Sequence, residues 1–334
     1  DEPKYRELSL ERLTTSTKNF TAVPSVIGKN TEDVLYAFKQ CVSGLSEIAV
    51  RSGESYSFTQ VFSVTDNEKN VSEDIAAAKK YFDSAAQENE LKKLEKKYRE
   101  LFSVRTVKTG NADFDKFVNG FLPLEMYWVS SLDRGWPTGM RGVRDAANDF
   151  EGMLCYDKEM CKGVIENIFS KQRSDGWYPR QVPFGNGTKF DLREFVDSAC
   201  FFTEYVYDYL AYTGDYSILE KEYHYYNNEN LETGLTHLKK GMDYLIAEDS
   251  LGVHGLVKMQ GGDWLDCLSG VGKKGKGESV MVSCQLVMSL GYLTQILEKL
   301  GFSEEIEKYT TAAEKLKTAI NKASFNGKFY NAVY

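Results

Sequence analysis

Residues 279–297 read SVMVSCQLVMSLGYLTQIL, and residues 303–320 read SEEIEKYTTAAEKLKTAI. The first stretch is apolar nearly all the way round a helix, which predicts that it is buried. The second is amphipathic and heavily charged, so it predicts a helix with one face in water. A hidden helix followed by a half-solvated one suits a double-layered helical toroid, with inner helices enclosed and outer ones partly exposed. An ordinary helical bundle satisfies the same periodicity, and periodicity alone leaves both open. Either way the fold class is mainly α.

The pattern extends toward the N-terminus. In residues 193–214, REFVDSACFFTEYVYDYLAYTG, the side chains Phe195, Ala199, Phe202, Val206 and Tyr209 keep helical spacing, and Gly214 supplies the stop. Ser217 and Glu220 then form a capping-box pair for the next helix. Residues 88–102, ENELKKLEKKYRELF, put Leu91, Leu94, Tyr98 and Leu101 on one stripe, with Glu88 and Lys92 paired one turn apart. This reads as a charged linking helix. Before it the composition is β-rich: in ESYSFTQVFSV, Tyr56, Phe58, Phe62 and Val64 recur at period two, the mark of a half-buried strand. The expected organisation is therefore a β region over 1–70, a helical linker over 71–103 and a helical domain over 104–334.

Length and charge narrow the function. A chain of 334 residues is long enough for more than one domain. A net charge of −8 argues against a nucleic-acid partner, which needs a basic face. The sequence reading finds no apolar run near the roughly 20 residues of a membrane span, so no membrane partner is expected. The opening DEPKYRELSLERL does not resemble a signal peptide. Six widely spaced cysteines, most among apolar neighbours, predict reduced core thiols and a cytoplasmic location. With three histidines and no C-x-x-C pair, no metal site is expected. The 13% aromatic content leans toward sugar binding, though large cores use aromatics too.

Three stretches carry candidate chemistry. Residues 270–275, GVGKKG, fit G-x-G-x-x-G, but no β-branched strand leads in, and Gly277 stands where a P-loop needs Ser or Thr. Both nucleotide readings fail, and Lys273, Lys274 and Lys276 read as a solvated loop. Residues 134–150, RGWPTGMRGVRDAANDF, gather Arg134, Arg141, Arg144, Asp145 and Asp149 around Trp136. A salt-bridged helix start with Asp145 near the cap explains them blandly. Carboxylates, guanidinium forks and an aromatic face are also the groups that grip sugars. Residues 254–270, HGLVKMQGGDWLDCLSG, set Asp263 and Asp266 around Trp264 directly after Gly261 and Gly262. Glycines beside Trp264, Leu265, Cys267 and Leu268 predict a loop that folds inward and carries an acid into an apolar pocket, where it would stay protonated near neutrality.

GVRDAANDFEGML, VDSACFFTEYVYDYLAYTGDYSIL and HGLVKMQGGDWLDCLSGVGKKGKGESV occur in an order and spacing that resemble glycoside hydrolase family 94. That family holds inverting phosphorylases of β-linked gluco-oligosaccharides, among them cellobiose, chitobiose and 1,2-β-oligoglucan phosphorylases, and a domain of cyclic β-1,2-glucan synthases. The resemblance covers roughly Phe102 to the C-terminus. It implies the first half of an (α/α)6 toroid, preceded by a β-sandwich remnant and a linker helix. It further implies Asp266 as general acid, Trp264 beside the bound sugar, and Arg144 with Asp145 on the glucosyl unit whose bond is cleaved. Asp149 and Trp136 are further substrate-binding candidates, and Asp263 is expected to shape the loop. Leu265 stands where the family loop has Asn, which alters the acceptor side.

On this resemblance the reaction needs no cofactor. Inorganic phosphate is the co-substrate, an oligosaccharide the partner, and a homodimer the assembly carried as an expectation. A phosphorylase needs one carboxylic acid because phosphate arrives as a nucleophilic anion, whereas an inverting hydrolase needs a second carboxylate as base. A β-glucan hydrolase on the same barrel and a non-catalytic sugar-binding segment of a synthase are the alternatives. The family's phosphate-binding residues are expected beyond Tyr334.

Overall fold

The computed structural model describes residues 52–55, 71–131, 139–184 and 187–334, together with the backbone of short strands between residues 5 and 65. It divides into two compact units, Asp1–Glu100 and Leu101–Tyr334. In the first unit the strands are β1 (Tyr5–Glu7), β2 (Thr21–Ala22), β3 (Ser25–Ile27), β4 (Thr31–Tyr36), β5 (Cys41–Ser46), β6 (Gln60–Val61) and β7 (Val64–Thr65). They pair antiparallel as β1–β3–β6, β2–β7 and β4–β5, the last in register from Thr31 opposite Ser46 to Tyr36 opposite Cys41. Of the alternating stripe expected here, Val64 begins β7, while Tyr56, Phe58 and Phe62 lie outside the described residues.

Two helices follow, α1 (Val71–Lys79) and α2 (Ser84–Ser103). The expected Glu88–Lys92 pair forms at 3.1 Å, but both side chains are exposed, so it contributes only about 0.3–0.5 kcal/mol. Among the described residues Leu91 and Leu94 are open to solvent.

The second unit starts with α3 (Ala112–Lys116), a π-helical turn at Phe117–Phe121, and α4 (Leu122–Ser131). Asn111 caps α3 by accepting from the Phe114 amide. The turn loosens where Pro123 follows, a residue with no N–H to return along the helix. Strand β8 (Met140–Gly142) runs into α5 (Val143–Met153), and α6 (Lys158–Phe169) follows. Strand β9 (Gln181–Pro183) pairs antiparallel with β8. Next come α7 (Ser198–Thr213), the short α8 (Ser217–Glu220), the hairpin of β10 (Glu222–Tyr225) and β11 (Asn228–Thr233), and α9 (Gly234–Ile246). The pair β12 (Val257–Lys258) and β13 (Glu278–Ser279) leads into α10 (Val280–Leu300), and α11 (Ser303–Ser324) closes the helical series.

The described residues are mainly helical, as expected, and their packing is ordered. Helix α5 lies on α7, and α7 on α10, forming one row. Helix α6 packs against α5 and α7, α9 against α7 and α10, and α11 along α10, forming a second row. Phe150, Ile165, Phe202, Val206, Leu238, Met242, Leu286 and Leu293 meet between the rows, all essentially without exposure. On α11, Tyr309, Leu316 and Ile320 point into this core and the charged residues point out.

Three local expectations are corrected. Phe195 is not on the helix whose stripe it seemed to begin. It is in extended backbone, bridged to Gly262, and α7 starts three residues later. Ser217 does not cap α8. Its hydroxyl donates to Asp215 at 2.6 Å, and Asp215 accepts from the Ser217 amide, so the aspartate before the turn does the capping. Helix α10 is neither short of membrane length nor buried all round. At 21 residues and a mean hydropathy of 1.5 it is long and apolar enough to cross a membrane, yet half of that stretch is buried inside this unit and Met288 is exposed. Its packing against α7, α9 and α11 accounts for the apolar composition.

Candidate active site

The loop 259–266 is shaped by close backbone approaches that only glycine permits. Gly261 donates to the Glu194 carbonyl at 2.8 Å, and a Cβ on Gly261 would stand 3.0 Å from that oxygen. Gly262 has φ +148°, and a Cβ there would meet the Phe195 ring at 2.8 Å. The pair thus lets the loop lie flat on the Phe195 strand. Asp263 anchors the next turn of this loop. Wholly buried, it accepts from the Leu265 amide at 2.8 Å and from the Ser279 hydroxyl at 2.5 Å. Ser279 also caps α10 through the Val282 amide, so the loop is tied to that helix start. Trp264 emerges half exposed, its ring 5.7 Å from that of Phe201. Asp266 opens the 3-10 segment Asp266–Lys274.

Arg144, in the first turn of α5, joins the parts. Its Nη1 donates to Asp197 Oδ2 at 3.1 Å and to the Asp263 carbonyl at 2.9 Å, and its Nη2 donates to Asp266 Oδ1 at 2.8 Å. The guanidinium also lies over Trp264, 5.1 Å from the ring centre. Burial disfavours the charge, but hydrogen bonds and charges from Asp266 and Asp197 outweigh it, and the pKa is raised. Asp266 faces a second cation on its other oxygen, with Arg180 Nη2 3.6 Å from Oδ2. Arg180 in turn pairs with Asp191 at 3.1 Å, and Asp191 with Arg193 at 2.6 Å. A chain of alternating charges therefore runs from buried Asp197 through Asp266 to exposed Arg193. The apolar pocket expected around Asp266 is corrected: the side chain is 55% exposed and two guanidinium groups face it.

Asp197 stands at the inner end with no exposure, one oxygen on Arg144 and the other without a partner. Burial raises its pKa from 3.8 to about 6, against the opposing pull of Arg144. The folded protein thus holds this proton more tightly than the unfolded chain. The stability it brings is fully present below pH 3.8 and is lost as pH rises through about 6. At roughly 1.4 kcal/mol per unit, the loss is about 3 kcal/mol. Asp197→Asn should remove this dependence: the stability of the variant relative to wild type should rise by about that amount between pH 4 and pH 7.5, read from denaturant unfolding. A difference that does not move with pH would refute the assignment.

Of the sequence candidates, the structure brings Asp266, Arg144 and Trp264 together. Asp145 is in the same first turn, and its carboxylate folds back over Gly142, where a Cβ would meet Oδ2 at 2.0 Å. Asp149 is engaged elsewhere, bonded at 2.6 Å to buried Arg141, which also donates to the Ser130 and Val129 carbonyls and ties α5 to α4. Trp136 lies outside the described residues. Trp177 and Tyr178 are core residues with 2% exposure each, and the Trp177 indole donates to the Phe195 carbonyl. Trp128 is exposed on α4. Lys273, Lys274 and Lys276 are exposed, as a solvated loop requires. The sequence reading missed Arg180, Asp191 and Arg193 altogether. Asp197 was visible inside the VDSACFF stretch, but nothing in the sequence said that it reaches Arg144.

Residues 97–334 match the family model described as the glycosyl hydrolase 94 superfamily, catalytic domain. The chain is 25% identical to a 3-O-β-D-glucopyranosyl-β-D-glucuronide phosphorylase of Paenibacillus borealis, over 68% of this chain and 29% of that protein. It is 28% identical to a solabiose phosphorylase of the same organism, over 60% of this chain and 25% of the relative. It is 25% identical to a cellobionic acid phosphorylase of Neurospora crassa, over 67% of this chain and 28% of the relative. The matched region thus spans between a quarter and three tenths of these proteins' length.

Proposed function

Since the chain belongs to the glycosyl hydrolase 94 superfamily, we propose that it forms part of the catalytic domain of an inverting phosphorylase. The reaction is phosphorolysis of a β-glucosidic bond in gluco-oligosaccharides. In it a phosphate oxygen attacks the anomeric carbon, the bond to the leaving oxygen breaks, Asp266 gives that oxygen its proton, and α-glucose 1-phosphate departs. Arg144 and Asp145 hold the glucosyl unit against the Trp264 face. Free phosphate is the co-substrate, and the residues that bind it are expected beyond Tyr334. The row α5, α7, α10 and the row α6, α9, α11 are, in this reading, inner and outer helices of an (α/α)6 toroid. The five free thiols among the described residues support a cytoplasmic location, although Cys267 and Cys284 are exposed rather than core residues.

The observation that carries the reading is the inequality of the carboxylates around Arg144. Asp197 and Asp263 are buried and engaged, and Asp266 alone of the three is open to a substrate. One accessible acid beside an aromatic face is what phosphorolysis asks for. Arg144 Nη2 bonds Asp266 Oδ1, whereas Oδ2 has only Arg180 Nη2 at 3.6 Å, so Oδ2 is the oxygen free to carry the proton. β-1,2-Oligoglucans are among the substrates this reading covers.

The full-length polypeptide that carries this chain should release glucose 1-phosphate from β-linked gluco-oligosaccharides only when phosphate is present. Free glucose released without phosphate would establish the hydrolase reading instead, and no release of either kind would leave a sugar-binding segment.

A further inference from the structure

Asp197 stands at the N-cap of α7, where an aspartate ordinarily accepts an amide of the first turn. It does not do so here, and α7 begins without a side-chain cap. By contrast, α3, α6, α9 and α10 are capped by Asn111, Asp157, Thr233 and Ser279. The Asp197 carboxylate instead accepts from Arg144 Nη1 at 3.1 Å on one oxygen, and its other oxygen is buried with no partner. The helix gains nothing from this arrangement.

The charge also works against the fold. Burial raises the pKa of Asp197 to about 6, so above that pH it is an anion held away from water. An asparagine would also accept from Arg144 and would bring no charge to bury. A capping preference and a burial preference are thus both broken at one residue, the pattern of a functional position rather than of a scaffold residue.

What Asp197 acts on is Arg144. The same guanidinium donates through Nη2 to Asp266 Oδ1 at 2.8 Å, so two carboxylates share one cation. A guanidinium with no other counter-ion draws the proton off a neighbouring carboxylic acid. An ionised Asp197 offsets part of that pull. It also helps to fix the fork, because Nη1 is held by Asp197 and the Asp263 carbonyl while Nη2 reaches Asp266. The other charges facing the pair are Asp263 near Asp197, and Arg180 and Arg193 near Asp266. Both of these arginines pull on the Asp266 proton in the same direction as Arg144, and both share Asp191.

We infer that Asp197 is a positioning residue for the acid: acting through Arg144, its negative charge keeps the proton on Asp266 and holds the guanidinium fork in place. This rests on the phosphorylase reading of the same site and adds a residue to its machinery.

The test follows kcat/KM against pH in the full-length polypeptide at saturating phosphate. The substrate is whichever of the β-1,2-, β-1,3- and β-1,4-linked glucose disaccharides it cleaves fastest. Phosphate titrates identically in every variant, so the comparison between variants removes it. Asp197→Asn should move the alkaline limb to lower pH by at least about 0.5 unit, about a threefold loss of activity along that limb. Asp197→Ser, equal in charge and different in shape, should move it by the same amount. A limb that stays in place, whether kcat/KM is unchanged or falls equally at every pH, overturns the inference while the phosphorylase reading stands. Release of glucose 1-phosphate from none of the three disaccharides by the wild type overturns that reading, and the inference with it.

Discussion

Asp266→Asn, made in the full-length polypeptide that carries this chain, is expected to lower turnover by about 10²–10⁴-fold, the range that one positioned acid supplies. The fold should survive. The side chain is more than half exposed, and an asparagine oxygen can still accept from Arg144 Nη2. What the amide lacks is a proton to give. The loss should therefore depend on the leaving group. A natural sugar alkoxide leaves poorly without a proton, whereas a nitrophenolate leaves readily. Phosphorolysis of a nitrophenyl β-glucoside, if the acceptor subsite admits it, should be impaired far less than that of a disaccharide. A variant that keeps near-normal turnover on disaccharides refutes Asp266 as the acid. Equal impairment on both kinds of leaving group would show that the variant damages binding rather than proton transfer.

The parts of this protein legible in its sequence are those set by periodicity and local chemistry. The helices α7, α10 and α11 follow from their apolar spacing, and Gly214 ends α7 in the left-handed conformation with φ +68°. The Gly261–Gly262 pair was readable as an inward-folding loop because consecutive glycines weaken a helix or strand interior, while a solvated loop seldom keeps a tryptophan beside them. Phe195 was misread because one aromatic residue at helical spacing cannot be told from the last extended residue before a helix. Only its bridge to Gly262, 67 positions away, decides the matter. The surroundings of Asp266 failed for the same reason. Trp264 and Leu265 are neighbours in sequence and suggested an apolar pocket. The groups that face the carboxylate, Arg144 and Arg180, lie 122 and 86 positions away and arrive through the β8–β9 pairing and the start of α5. Charge networks made of single residues from distant segments have no period and no motif, so no reading of local sequence recovers them.

Arg144 and Asp145 give the second large effect, and together they separate sugar binding from scaffolding. Removing the guanidinium outright would leave Asp197 buried without its cation, a change that costs about 3–5 kcal/mol and confuses kinetics with unfolding. Arg144→Lys avoids this by keeping a charge near Asp197. It gives up the fork that reaches Asp197, the Asp263 carbonyl and Asp266 at once. With roughly two charged hydrogen bonds to the sugar lost, at about 1.5–3 kcal/mol each, kcat/KM should fall at least about a hundredfold, while stability should fall by only about 1–3 kcal/mol for the internal bonds given up. Asp145→Ala tests the neighbour. Its carboxylate lies over Gly142 at the start of α5, the place of a helix-end acid, and that role alone predicts about 1 kcal/mol of lost stability with kinetics preserved. If Asp145 grips the glucosyl unit, the same variant should also lose at least about a hundredfold in kcat/KM, which is the outcome expected here. Melting and kinetics measured on one preparation decide it. Lost stability with full activity would reassign Asp145 to the helix end and leave Arg144 as the sole anchor of the glucosyl unit in this turn.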